Sequence, residues 1–126
     1  MMYTVAVSRN FIAQHYLIGG DWGRENSLHS HFYKIEVCLE GAELDQHGYL
    51  VDIVDIEKNL DSLVEFFSEK TLNSLPDFKN LNPSIENFCR ILWEKYSERI
   101  TAKAIEFLTV TLWENEIARA SYRQKL

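Results

Sequence analysis

Three histidines carry most of the chemistry this sequence can do. His29 and His31 stand two residues apart, so on an extended strand both imidazoles leave the same face, spaced to grip a single ion. His15 lies near the end of the preceding alternating segment and shares the parity of the apolar residues expected to face a core. If the two segments pair as a hairpin around residues 19–28, a third imidazole reaches the same point. Three neutral nitrogens with no cysteine or carboxylate in the set favour zinc in a catalytic geometry, with one position left for water or a substrate oxygen. An isolated HxH is a weak motif whose ordinary meaning is a pair of satisfied structural histidines. His47 sits in the turn Asp45–Gly48, where a solvated turn residue is expected.

The elements that must position these imidazoles follow from periodicity. Tyr3, Val5, Val7, Phe11, Ala13, His15 and Leu17 share one parity, so residues 2–18 read as one long half-buried strand ended by Gly19 and Gly20. A polar loop over 21–27 leads to a second alternating run with His29, His31, Tyr33, Ile35, Val37 and Leu39 on one face and Lys34, Glu36 and Glu40 on the other. Asp52 precedes a helical stripe of Ile56, Leu60, Leu63, Val64 and Phe67. Asn82 and Pro83 read as an N-cap and a first-turn proline for a second helix with Ile85, Phe88, Cys89, Leu92 and Tyr96 on its apolar face. Residues 104–114 return to strand, with Leu108, Val110, Leu112 and Glu114 on one side, and 117–122 form the last strand. Strands at both ends with helices between them predict an α+β fold, a four-stranded antiparallel sheet with two helices on one face. Its two open edges must be shortened, charged or paired with another chain.

Composition narrows the function classes. A chain of 126 residues, 46% apolar and 25% charged, fits one domain over 1–126 with a genuine core. A net charge of −6 gives no basic footprint for nucleic acid or an anionic membrane. No apolar run approaches the roughly 20 residues of a membrane span, and the N-terminus lacks the features of a signal peptide. The expectation is a cytoplasmic protein with a small-molecule partner. Cys38 and Cys89 form no CxxC pair and read as buried small apolar residues.

The runs Phe11-Ile12-Ala13-Gln14-His15 and His29-Ser30-His31-Phe32-Tyr33 resemble the FxAxH and HGHxY elements of the 6-pyruvoyl-tetrahydropterin synthase and 6-carboxytetrahydropterin synthase family. The resemblance continues in Gly48-Tyr49-Leu50-Val51-Asp52-Ile53, in Leu72-Asn73, in Asn82-Pro83-Ser84-Ile85-Glu86-Asn87, and in Glu114 followed by Tyr122. It implies the tunnelling fold, in which sheets from three chains close a barrel. Two barrels stack into a homohexamer, a dimer of trimers, with active sites at subunit boundaries. It also implies a reduced pterin as substrate and Glu114 as its anchor. A 2-amino-4-oxopteridine presents two adjacent N–H donors, which an ionised carboxylate can accept in parallel.

Two departures from that pattern bear on the reaction. The family's catalytic cysteine stands four residues before the first histidine of the HxH pair, and that position here is Glu25; its Asp-His dyad falls on Ser68 and Glu69. Cys38 cannot take over, because its parity places it on the sheet face opposite His29 and His31. The resemblance includes a branch in which glutamate replaces the cysteine and a side-chain carbon–carbon bond of dihydroneopterin triphosphate is cleaved, leaving 6-hydroxymethyl-dihydropterin. On that reading Glu25 is the candidate general base and Glu69 a second catalytic candidate, in a zinc-dependent lyase acting on dihydroneopterin or its triphosphate. Two other readings stand beside it: a catalytically inactive pterin-binding homologue, favoured by the lost dyad, and an enzyme for a different pterin- or purine-like ring.

Overall fold

The computed structural model describes residues 1–126. The alternation of the first forty residues produces two long strands, β1 (Tyr3–His15) and β2 (His29–Gly41), paired antiparallel without a bulge from Tyr3 opposite Gly41 to His15 opposite His29. After the helices come β3 (Phe107–Trp113), which pairs with β2, and β4 (Arg119–Lys125), which pairs with β3; the sheet order is β1-β2-β3-β4. One parity of each strand faces the core: Phe11, Ala13 and His15 from β1, Tyr33 to Leu39 in steps of two from β2, and Leu108, Val110 and Leu112 from β3. The α+β architecture expected from the sequence is the one observed.

Two helices cover that face. α1 (Ile53–Phe67) buries Ile56, Leu60, Leu63 and Phe67, and α2 (Ile85–Ser97) buries Phe88, Cys89, Ile91, Leu92, Trp93 and Tyr96. Each fully buried side chain of this size is worth roughly 1.5–3 kcal/mol relative to exposure. Cys89 is a packing residue as expected: its thiol donates to the Val110 carbonyl at 3.1 Å, and burial pushes its pKa up to about 12. No helix is long and apolar enough to cross a membrane.

Several boundaries differ from the sequence reading, each because a side chain claims the backbone. The start of α1 does not differ: Asp52 caps it where the sequence placed it, accepting from the Val54 amide at 2.9 Å. α2 is capped by Ser84, whose hydroxyl accepts from the Asn87 amide at 3.1 Å, and Pro83 falls before the cap. Asn82 does not cap, because its side-chain oxygen is taken by the Ile18 amide at 2.9 Å. β1 accordingly stops at His15, since Tyr16 and Ile18 donate to asparagine side chains instead of a strand partner. β4 begins at Arg119 and not 117, because the Asn115 side-chain oxygen gathers the Ile117 and Ala118 amides, at 2.9 and 2.7 Å, into a turn.

Two residues past the end of α1 stands Glu69, a non-glycine residue at φ 62. This left-handed conformation terminates the helix and turns the chain back toward the sheet. There the Glu69 amide donates to the Ile12 carbonyl at 2.7 Å, and the Gln14 amide donates to the Lys70 carbonyl at 2.9 Å. The capping assignment makes a direct prediction: Ser84→Ala should lower the unfolding free energy by about 1 kcal/mol, read as a shift of the urea midpoint at constant slope.

Candidate functional site

The β1–β2 register places His15 directly across from His29 and the small Ala13 across from His31, all on the core-facing parity. Ala13 leaves room for the larger ring beside it. The ligand nitrogens of His15, His29 and His31 lie within 4.8 Å of one another. The Nε2 atoms of His15 and His29 are 2.9 Å apart.

What holds the outer side of each ring determines what the inner side can do. His29 Nδ1 must carry its proton, because it donates to the Ser27 carbonyl at 2.8 Å, and its Nε2 therefore turns a lone pair into the cluster. His15 Nδ1 lies 3.3 Å from the Tyr33 hydroxyl, which can fix the same tautomer by accepting from it. In that tautomer the two Nε2 lone pairs face each other at 2.9 Å, an arrangement a cation satisfies; in the other tautomer His15 Nε2 donates its proton to His29 Nε2. His31 Nε2 is buried without a hydrogen-bond partner: the nearby Glu114 Oε1, at 3.2 Å, is within ion-pair distance but lacks hydrogen-bond alignment. Buried polar atoms are rarely left in this state. An orphaned buried nitrogen beside two imidazole nitrogens 2.9 Å apart is what a three-nitrogen cation site looks like, so the donor set fits a divalent metal.

Burial, reinforced by the neighbouring His31 and His29 rings, lowers His15 to about 4, and burial together with Glu114 pushes the Tyr33 phenol up. In the metal-free protein His15 is therefore neutral where the unfolded chain would be protonated. Between its ordinary 6.5 and about 4 the unfolded state binds the extra proton, so stability is full above that window and falls as pH drops through it. Urea unfolding of the chelator-treated protein between pH 7 and 4.5 should show this slope, and His15→Gln should flatten it.

The chain leaving His15 is held by three asparagines. Asn73 accepts from the Tyr16 amide at 3.0 Å and donates to the Tyr16 carbonyl at 2.8 Å, while Asn82 holds Ile18. Asn26 donates to the Leu17 carbonyl at 3.1 Å, and the Leu17 amide donates to the Glu25 carbonyl at 2.8 Å. Asn73 and Asn82, from the Leu72-Asn73 and Asn82-Pro83 pairs singled out in the sequence, thus fix the backbone just after His15. Asn26 is not singled out by the sequence, and Tyr33 stands there only as a core-facing residue and the tyrosine that closes the HxHxY run. Only the position of Asn26, within the loop between the histidine strands, could have pointed to it.

The candidate carboxylates are placed differently from one another. Glu114 continues the core parity of β3 and brings Oε1 to 3.2 Å from His31 Nε2 and 4.0 Å from His15 Nε2. It also borders an open cleft of about 610 Å³, bounded by His31, Phe32, Lys34 and Trp113, where β2 runs on beyond the end of β3. Glu25 lies exposed in a short 3-10 turn (Gly23–Asn26) next to the histidine strands, and its carboxylate has no hydrogen-bond or ion-pair partner. Glu69 is not gathered with the histidines; it is exposed on the outer edge of β1, fastened at Ile12.

The comparisons with known proteins agree with this geometry. The family model described as 6-pyruvoyl tetrahydropterin synthase matches residues 4–125. The dihydroneopterin monophosphate aldolase of Pyrococcus furiosus is 32% identical over 108 residues, covering 83% of each chain. Among solved structures, the 6-pyruvoyl tetrahydropterin synthase of Caenorhabditis elegans superposes with a TM-score of 0.85 at 20% identity, covering 98% of this chain and 96% of that one. The 6-pyruvoyltetrahydropterin synthase of Plasmodium vivax gives 0.81 at 13% identity, covering 100% and 99%. That protein is also described in forms in which a catalytic glutamate is exchanged for cysteine or alanine. By sequence match over nearly its whole length, and by fold, this chain belongs to the 6-pyruvoyl tetrahydropterin synthase family.

Proposed function

We propose that the chain is a zinc-dependent lyase that cleaves the side-chain carbon–carbon bond of dihydroneopterin or one of its phosphates, leaving 6-hydroxymethyl-dihydropterin. The observation that carries this reading is the pairing of a three-imidazole cluster with an unpartnered carboxylate, Glu25, on the adjoining loop and no thiol on the same face. Cys38 points from the opposite face of β2, and the Cys89 sulfur is buried against Val110. A relative of 32% identity named for aldol chemistry on the monophosphate supports it, and so does a family member in which a glutamate is described as catalytic.

His15, His29 and His31 would hold the zinc, which supplies a Lewis acid that polarises the side-chain oxygens. Glu25 takes the proton of the 2′-hydroxyl as that carbon becomes an aldehyde. The bond between the 1′ and 2′ carbons breaks, and its electron pair passes into the conjugated pterin ring. A proton delivered to the 1′ carbon then completes the hydroxymethyl group, and the remaining two carbons leave as glycolaldehyde or its phosphate. Glu114 anchors the ring by accepting its adjacent N–H groups. To do so it must turn from His31 into the cleft, since its present position crowds the histidines. Glu69 is kept as a second catalytic candidate. From the outer edge of β1 it would serve only a site completed by another chain, which fits a homohexamer closing through the free edges of β1 and β4.

Purified protein should carry about one zinc per chain, and His29→Ala or His31→Ala should remove it; metal analysis that finds full occupancy in both variants would sink the site. The functional test is incubation of zinc-loaded protein with dihydroneopterin, its monophosphate and its triphosphate, followed by chromatographic identification of the pterin. The expected product is 6-hydroxymethyl-dihydropterin, with Glu114→Ala weakening pterin binding by at least tenfold. Tight binding of all three compounds without turnover would favour the inactive pterin-binding scaffold instead.

A further inference from the structure

We infer that Asn26 is a positioning residue for the Glu25 carboxylate, an inference that rests on the reading of Glu25 as the base. Other bonds within the loop between the histidine strands are local: the Asp21 carboxylate accepts from the Gly23 amide at 3.0 Å, and the Ser27 amide donates to the Arg24 carbonyl at 3.0 Å. The loop is exposed from Gly19 to Glu25 and contains no buried residue in its 3-10 turn. Gly19 and Gly23 take positive φ values of 83° and 64°, conformations that glycine leaves easily. A general base must nevertheless stay within hydrogen-bond reach of one hydroxyl, and a misplacement of about 1 Å can cost on the order of a hundredfold in rate.

Asn26 supplies the missing constraint. Its side-chain oxygen accepts from the Trp22 amide at 2.8 Å, and its side-chain nitrogen donates to the carbonyls of Gly20, at 3.0 Å, and Leu17, at 3.1 Å. One half-buried amide thus closes the loop on itself and ties it to the segment that follows His15. The Leu17 amide completes the tie by donating to the Glu25 carbonyl at 2.8 Å. Both backbone groups of Leu17, two residues from one histidine of the cluster, are therefore engaged by Glu25 and its neighbour. On the other side Ser27, next to Asn26, accepts from His29 Nδ1 at 2.8 Å. The loop carrying the base is joined to two of the three imidazoles by short, hydrogen-bonded links; the Asn26 side chain makes the first, and its chain neighbour Ser27 makes the second.

Glutamine alone carries the same donors and acceptor, and its extra methylene moves them away from these three partners. An aspartate retains an acceptor for Trp22 but loses both donors and sets a negative charge against two carbonyl oxygens. An alanine loses all three bonds.

The test compares Asn26→Ala, Asn26→Asp, Glu25→Gln and the double variant Glu25→Gln/Asn26→Ala, each zinc-loaded and each checked for folding. Asn26→Ala should lower kcat by about a hundredfold with KM and zinc content unchanged, and should be nicked by trypsin after Arg24 at least tenfold faster than the parent. Asn26→Asp should behave in the same way. In the Glu25→Gln background the alanine substitution should cause no further loss, because it acts through a group already removed. Equal losses in both backgrounds, or an unchanged kcat in Asn26→Ala, would overturn the inference while leaving Glu25 as the base. Full turnover by Glu25→Gln would remove both. A loop as resistant to trypsin in Asn26→Ala as in the parent would show, independently of turnover, that Asn26 does not hold it.

Discussion

The register of β1 against β2 is the constraint on which the rest of the molecule depends. Core and site share one parity: the face that carries Phe11, Tyr33, Ile35, Val37 and Leu39 into the core also carries His15, His29 and His31. A slip of one residue along this ladder would put Lys34 and Glu36 under the helices and turn the imidazoles of β2 to the opposite surface. The long, bulge-free pairing is therefore a specification of the site as much as of the fold. Burying the apolar stripe enforces the convergence of the rings, and the energy of the core holds a polar cluster that would not assemble by itself.

That cluster is costly in the absence of a cation. Bonds on the outer sides of the His29 and His15 rings turn their Nε2 atoms inward, His15 is almost fully buried, and His31 has an unsatisfied nitrogen. Such concentrated, incompletely satisfied polarity at the end of an otherwise apolar face is characteristic of places where function overrides packing. The Glu114 carboxylate beside the rings is the same kind of feature, a negative charge brought toward an interior that without a positive ion gives it only weak compensation.

Most of this was legible in the sequence because it rests on periodicity. Alternation gave both long strands and their inward faces, the helical stripes gave both helices, and the parity argument separated Cys38 from the histidines. The family resemblance added Glu114, which a single carboxylate at a strand end could not have announced. What sequence reasoning missed lies in side-chain-to-backbone bonding. Asn82 looked like a helix cap and instead holds Ile18, Asn26 looked like an ordinary loop residue, and Glu69 sits at a left-handed position that glycine would normally fill. An asparagine has similar local preferences whether it caps, turns or ties two segments together, so only the three-dimensional partner distinguishes these roles.

The stitch between the end of α1 and β1 has a consequence for assembly. With the Glu69 amide on the Ile12 carbonyl and the Lys70 carbonyl on the Gln14 amide, the outer edge of β1 is already occupied toward its histidine end. Any strand that adds to this edge can run alongside Tyr3 to about Phe11 and must then stop. β4, with seven residues from Arg119 to Lys125, is of a length to fill that berth. The helix terminus thereby acts as a ruler: it sets how far any strand added to this edge can run, and it closes the histidine end of β1 to pairing.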